Sequence, residues 1–245
     1  MKNNLIIPGD CLIRLESITD KSIDLIILDP PYNLSMDKWD KFTSEGYIRL
    51  LELVSNQCGR ILKDTGSLWC FSGWSSVEVV RQQFGRNFIL QNWVIWDRIK
   101  GRGAKYNLVS TREDILWFTK TDKYTFNKQS SSIKKVTKGM GLKNGDDCRK
   151  LSNVWTDISP IVPWSTERVK HPTQKPVKLI ERIIKVSSNE NDLILDPFAG
   201  SGTTGVACKN LKRNYILIEK EQEYIDIINK RLLAQLNRYE KLQIR

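Results

Sequence analysis

Leu193-Ile194-Leu195-Asp196-Pro197-Phe198-Ala199-Gly200-Ser201-Gly202-Thr203-Thr204-Gly205 is the stretch that decides the fold. Its three leading apolar residues read as a buried strand and Thr204–Leu211 as a helix, with G-x-G-x-x-G spanning Gly200 to Gly205 between them. Glycines there allow a tight turn and let a ligand approach the backbone. Tyr215–Ile218 is the next strand, and Glu219 ends it 19 residues after Gly200, about where a carboxylate that binds ribose hydroxyls belongs. No Gly-Lys-Ser/Thr follows, so this is not a Walker phosphate loop. The glycine pattern alone is weak. Strand, turn, helix, strand and acid in register point to a nucleoside-containing cofactor.

Only 26 residues follow Glu219, enough for one closing helix over Glu221–Leu236. The remaining strands must therefore come from the N-terminal side. There the run Ile23–Leu28 reads as a parallel strand buried on both faces, stopped by Asp29-Pro30-Pro31-Tyr32 because neither proline has an N–H for a ladder. A carboxylate and an aromatic ring are left at the carboxyl end of a core strand, where ligands of open α/β sheets sit. Taken alone, the four residues are as readily an ordinary strand-ending turn. The two strand ends are expected to be neighbours in one sheet. A nicotinamide oxidoreductase would need a permuted chain and would leave Asp29–Tyr32 without a task.

Other segments support a doubly wound, mostly parallel α/β sheet. Leu5–Ile7 is a short strand, followed by Gly9-Asp10-Cys11 and a brief helix over Leu12–Ser17. Tyr47, Leu50, Leu51, Val54, Cys58, Ile61 and Leu62 form one helical apolar stripe, capped by Thr43 or Ser44 and stopped at Gly66. Ser35–Phe42, polar and carrying Trp39, reads as a loop beside the site. Strands are predicted over Ser67–Phe71, Phe88–Trp96 and Asp114–Thr119, with a helix over Ser75–Phe84 and a basic loop over Lys100–Arg112. From Thr121 to Glu167 no period is sustained, and Ser, Gly, Asn and Lys clusters suggest an inserted element. A helix follows His171–Pro176, running through Val177, Leu179, Ile180, Ile183 and Ile184. The division is 1–120, 121–170 for the insertion, and 171–245, the outer two forming one domain.

The chain carries 39 Lys and Arg against 28 Asp and Glu, a net of +11. Between Asp97 and Lys175 there are 17 basic and 8 acidic residues, so most of the excess lies in one third of the chain. That imbalance suits a polyanion, nucleic acid first, or else a solvated basic face without a partner. Five scattered cysteines read as reduced thiols in a cytoplasmic setting, and a single histidine, His171, rules out a His-rich metal centre. No signal peptide and no apolar stretch near the ~20 residues of a membrane span is visible.

Asp29-Pro30-Pro31-Tyr32 resembles the catalytic motif of the amino-group DNA methyltransferases. Asp196–Thr204 resembles their S-adenosylmethionine motif, and His171-Pro172-Thr173-Gln174-Lys175-Pro176 a companion motif before it. Catalytic motif first and cofactor motif last is the order of the β group of these bacterial and phage restriction–modification enzymes. The resemblance covers nearly the whole chain except about Thr121–Glu167. It implies a class I methyltransferase fold in permuted order, with residues 1–120 as catalytic half, 121–170 as target-recognition insertion and 171–245 as cofactor half.

The resemblance also implies roles. Asp29 and the Pro30 carbonyl would accept the N–H bonds of an exocyclic amino group, with Pro31 shaping the turn and Tyr32 stacking on a flipped base. The cofactor would be S-adenosyl-L-methionine. Asp10 and Cys11 would lie along its adenine, Glu219 on its ribose and Phe198 against it. Gly200, Ser201, Gly202, Thr203 and Thr204 would wrap its methionine part, Thr173 and Lys175 would help to hold the carboxylate, and Asp29, His171 and Asp196 would belong to the same cofactor site. No metal is implied. An opening Asp is typical of adenine-N6 enzymes, whereas Ser is commoner for cytosine-N4. Lys100, Arg102, Lys105, Lys134 and Lys135 would meet DNA phosphates. Gly101–Lys105 departs from the Lys and Asn-Pro-like pair that many relatives carry there. Duplex DNA is the implied partner; a homodimer and a cognate restriction endonuclease at the same site are compatible with it. Cytosine-N4 or RNA methylation, and a DNA-binding protein without turnover, stay open at this point.

Overall fold

The computed structural model describes residues 4–33, 40–102, 105–106, 108–128, 132–134 and 148–243. In chain order it contains β1 (Leu5–Pro8), α1 (Cys11–Glu16), β2 (Ile23–Leu28), α2 (Ser44–Ile61), β3 (Leu62–Ser72), α3 (Val77–Phe84), β4 (Ile89–Arg102) and β5 (Ser110–Thr119). There follow β6 (Ser132–Lys134), β7 (Cys148–Lys150), β8 (Val154–Trp155), α4 (Val177–Ser187), β9 (Leu193–Asp196), α5 (Thr203–Asn210), β10 (Asn214–Glu219) and α6 (Gln222–Gln243). Eight strands form one sheet in the order β1-β10-β9-β2-β3-β5-β4-β8, with β6 and β7 paired separately. Among the described residues, every pairing within the eight-stranded sheet is parallel except those of β5 with β3 and with β4, and β6 pairs with β7 antiparallel.

Helices cover both faces, so the central strands are apolar on both sides. Leu25 and Ile27 of β2 join a core with α4, α5 and α6, whereas Ile26 and Leu28 join the core beneath α1, α2 and α3. The expected adjacency holds: β2 pairs with β9, Leu25 opposite Ile194 and Ile26 opposite Leu195. Asp29 and Asp196 therefore stand at the same edge of neighbouring strands.

Two readings are corrected. Gly66 does not stop α2. The Thr43 hydroxyl caps its start by accepting from the Gly46 N–H at 3.1 Å, but its last residue is Ile61 and Leu62 is already extended. Gly66 instead lies inside β3, where a Cβ would come within 2.6 Å of the Leu62 side chain and 3.0 Å of the Asp24 carbonyl. The basic loop expected over Lys100–Arg112 is partly strand, since β4 runs on to Arg102 and β5 starts at Ser110 across a register shift. The region from Thr121 to Glu167 is also partly woven into the body. Tyr124 and Phe126 pack on Trp117, Asn127 binds the end of α4, and β8 adds to β4 with Trp155 buried. Order is expected to return near Asn153-Val154-Trp155, and β8 lies there, although two residues carry no period that would place them in the core.

Most of the Ser35–Phe42 loop lies outside the described residues. Its two ends are tied together: the Asn33 N–H donates to Asp40 Oδ1 at 2.7 Å, and the Phe42 N–H donates to Asn33 Oδ1 at 2.9 Å.

Candidate active site

The carboxyl ends of β1, β2, β9 and β10 surround a single cleft, lined by the Gly9–Cys11 turn, Asp29, Pro31, His171, Thr173, Lys175, the 196–204 loop and Glu219. Residues singled out in five separated segments of the sequence thus meet in one cleft.

The glycine turn is held from several sides. Gly200 and Gly202 have φ of +51° and +76°, the left-handed region that disfavours a side chain. The Gly200 N–H donates to Glu219 Oε2 at 2.8 Å, while Glu219 Oε1 accepts from the Lys220 and Glu221 N–H groups, each at 2.9 Å. Burial raises the Glu219 pKa against these three donors. The carboxylate is fixed in place with acceptor capacity left on Oε2. Asp10 caps α1 by accepting from the Leu12 N–H at 2.9 Å, which seats Cys11 in the cleft wall. Burial pushes the Cys11 thiol up to about 12, so it stays a neutral packing surface.

Asp196 works inside the loop. Its Oδ1 accepts from the Phe198 N–H at 3.1 Å and its Oδ2 from the Thr204 hydroxyl at 2.5 Å. Burial raises its pKa to about 7. Ser201 and Thr203 also look inward: their hydroxyls lie 3.2 Å apart, and Arg231 of α6 reaches both, together with the Ser201 carbonyl. His171 packs on Tyr224, ring centroids 4.5 Å apart, and its Nδ1 accepts from the Thr173 N–H at 3.3 Å. Burial first, then Lys175 and Arg231, lower its pKa to about 4, so it is neutral at pH 7 with its proton on Nε2.

The acceptor-bearing turn is paired rather than free. The Lys175 ammonium donates to Asp29 Oδ1 at 2.8 Å and Oδ2 at 2.7 Å, and lies 3.3 Å from Glu113 Oε2. The Tyr32 hydroxyl donates to Asp29 Oδ1 at 2.8 Å. Burial, then the Asp29 and Glu113 charges, push the Tyr32 phenol well up, so it keeps that proton. Burial opposes charge on Lys175, yet Asp29 and Glu113 raise its pKa overall. The lysine expected beside a methionine carboxylate is thus placed on the catalytic-type aspartate.

Sequence reading missed Glu113, Tyr224 and Arg231. Glu113 reaches the site only through the β4–β5 register, which sets it opposite Trp96. The other two sit on α6, whose periodic pattern gives no reason to single them out. Of the residues expected at DNA, Lys105 is exposed, with its ammonium 5.2 Å from the Tyr106 ring centre. Lys100 and Arg102 end β4 and Lys134 ends β6, whereas Lys135 lies outside the described residues.

A mostly parallel sheet with a nucleoside-type glycine turn on one strand end and an acceptor-bearing Asp-Pro-Pro-Tyr turn on the next has the architecture of a class I methyltransferase. The chain belongs to the N6/N4 DNA methylase family, whose model, described as DNA methylase, matches residues 23–230. It is similar to the type II methyltransferase M.HpaI of Haemophilus parainfluenzae, 34% identical over 98% of this chain and 77% of the relative. It is also similar to M1.MboII of Moraxella bovis, 35% identical over 92% of this chain and 95% of the relative. Among solved structures, the M1.HpyAVI–SAM complex is 29% identical, with a TM-score of 0.68 over 93% of this chain and 98% of that one. The cytosine-N4-specific PvuII methyltransferase, 20% identical with a TM-score of 0.69, shares the fold.

Proposed function

We propose that this DNA methylase transfers a methyl group from S-adenosylmethionine to the exocyclic N6 amino group of adenine in duplex DNA. The placement of Asp29 and the glycine turn at the ends of the paired strands β2 and β9 supports methylation of an amino group, and the Asp that opens Asp29–Tyr32, typical of adenine-N6 relatives, supports adenine as the base. The cleft suits this cofactor chemically. Glu219 retains an acceptor site for a ribose hydroxyl, Phe198, Ile218 and Tyr224 offer apolar surface, and Asp10 and Glu219 bring carboxyl groups to the cleft wall. A Cβ at Gly200 would lie 2.8 Å from His171 Nε2, so the imidazole packs this closely against the turn only because the residue is glycine.

When bound, the cofactor would supply an electrophilic sulfonium methyl and leave as S-adenosylhomocysteine once the sulfur–methyl bond breaks. The proton lost from the methylated nitrogen would pass through the Asp29 carboxylate to solvent. The chain's residues prepare the other partner. An aromatic amino nitrogen is a weak nucleophile because its lone pair is conjugated with the ring. Asp29 and the Pro30 carbonyl, both acceptors, take its two N–H bonds and favour a tetrahedral nitrogen whose lone pair is free. Tyr32 offers a face on which a base turned out of the duplex can stack. Holding both reactants between two adjacent strand ends replaces an encounter in solution with a fixed approach. The exposed Lys105, Tyr106, Leu108 and Val109 between β4 and β5 lie in the basic third of the chain and form the surface assigned here to DNA.

The test is expression in a methylation-free host, followed by digestion of the DNA and identification of the modified base by mass. N6-methyladenine is expected; N4-methylcytosine alone refutes the adenine assignment. Asp29→Ala is expected to abolish transfer in a protein that still folds, and full activity in that variant refutes the role of Asp29.

A further inference from the structure

The cluster around Asp29 holds more charge than amino-group methylation needs. Four charged side chains and one phenol meet there, all with little exposure: Asp29, Glu113, Lys175, Arg98 and Tyr32. Lys175 spans both oxygens of Asp29, and the Tyr32 hydroxyl takes a further site on Oδ1. A carboxylate has about four lone-pair sites, so little acceptor capacity is left for an incoming N–H. The electrostatic problem is larger. Attack by an amino nitrogen develops positive charge on that nitrogen, and a carboxylate neutralised at 2.7 Å by an ammonium stabilises it poorly.

The neighbouring carboxylate offers the ammonium a second seat. Glu113 Oε2 is 3.3 Å from the Lys175 nitrogen and 3.4 Å from the Tyr32 hydroxyl, so a small movement exchanges one carboxylate for the other. The Glu113 carboxylate is itself anchored. Its Oε1 accepts from Arg98 at 3.2 Å, and Arg98 is braced by the Ser110 carbonyl at 3.2 Å. Lys175 lies over aromatic surface, with the Phe71 and Tyr32 ring centres 5.2 and 5.4 Å from its nitrogen.

We propose that Glu113 is a positioning residue that takes the Lys175 ammonium off Asp29 when the target amino group arrives, leaving Asp29 to meet the N–H with its full charge. Before the base enters, Lys175 keeps the half-buried Asp29 carboxylate satisfied; once it enters, Glu113 keeps the lysine satisfied. The inference rests on the amino-methylation reading above.

The test compares Glu113→Gln, Glu113→Asp and Lys175→Met with the double variant Glu113→Gln/Lys175→Met. Single-turnover methyl transfer is measured at saturating DNA and cofactor, alongside KM for each. Glu113→Gln is expected to slow transfer at least tenfold while both KM values stay within threefold, and Glu113→Asp to recover most of the rate. In the Lys175→Met background the Gln substitution is expected to cost less than threefold, because no ammonium needs moving. A wild-type rate in Glu113→Gln, an Asp variant as slow as the Gln variant, or an undiminished Gln effect without Lys175 overturns the proposal. If Glu113→Gln fails to fold, Lys175→Arg serves instead. Its planar fork grips Asp29 bidentately, so at least tenfold slower transfer is expected, and a wild-type rate overturns the proposal. Wild-type protein that methylates no amino group refutes the underlying function; an active wild type with an unaffected Glu113→Gln refutes this inference alone.

Discussion

Gly200→Ala isolates the cofactor turn from the rest of the fold. At φ of +51° an L-residue occupies the left-handed region, which costs about 1–2 kcal/mol. The new Cβ would also lie 2.8 Å from His171 Nε2 and 3.2 Å from Cε1, so the ring must shift away from its contact with Tyr224. That adds about 1 kcal/mol of lost or strained packing. A total of about 2–3 kcal/mol in a chain of this size lowers Tm by about 4–12 °C. The same shift loosens the Gly200 N–H from Glu219, so the affinity for S-adenosylhomocysteine is expected to fall at least tenfold. The control is Gly59→Ala inside α2, where the nearest atom to a Cβ is Asn87 Cβ at 3.5 Å, an ordinary contact. There the helix gains about 0.5–1 kcal/mol and Tm is expected to rise by about 1–4 °C. Scanning calorimetry and ligand titration read both variants. A Gly200→Ala protein with wild-type Tm and wild-type ligand affinity would refute the reasoning about this turn.

Two further perturbations address other parts of the structure. Trp155→Ala is expected to cost about 3–5 kcal/mol in urea unfolding, because Trp155 is buried against Trp69 and beneath Arg182; a loss below about 1 kcal/mol would mean that β8 is not part of the core. The pH dependence follows from two opposed shifts. His171 falls from 6.5 to about 4 on folding, so it contributes stability above pH 6.5 that is lost as pH falls through 4. Asp196 rises from 3.8 to about 7, so its contribution is present below pH 3.8 and lost as pH rises through 7. Between about pH 4 and 6.5 the two slopes offset. His171→Asn is expected to leave stability falling with rising pH across that window, and Asp196→Asn to leave it rising; unchanged slopes in both would contradict these assignments.

Much of the site was legible because strand ends are marked by chemistry that does not depend on distant packing. Prolines end β2, glycines turn the chain after β9, and an acid closes β10. Each is a local constraint, and the shortage of chain after Glu219 forced the two halves into one sheet. What stayed hidden depends on register. Glu113 belongs to the site because β5 runs antiparallel between β3 and β4, and no pattern in Arg112-Glu113-Asp114 reveals that. Trp155 was read into an insertion because two strand residues carry no period. Gly66 was taken for a helix stop because a glycine looks the same in a cap and in a crowded strand, and only the Leu62 side chain distinguishes them.

The Lys175–Asp29 contact shows why spacing located the residues but not their pairing. A strand-end carboxylate aimed at a methyl-accepting group must be shielded from water, since water would compete for its lone pairs. Shielding makes an unpaired charge costly, by several kcal/mol per ion even after relaxation. A cation must therefore accompany Asp29 whenever its substrate is absent, and that cation must leave when the substrate arrives. Lys175 meets the first requirement and Glu113 the second, with Arg98 preventing Glu113 from becoming an unpaired charge in its turn. Two carboxylates and two cations in one pocket are thus what a half-buried, reusable acceptor requires, rather than a surplus of ion pairs. On this argument, whichever side chain stands at position 113 must be able to carry a negative charge.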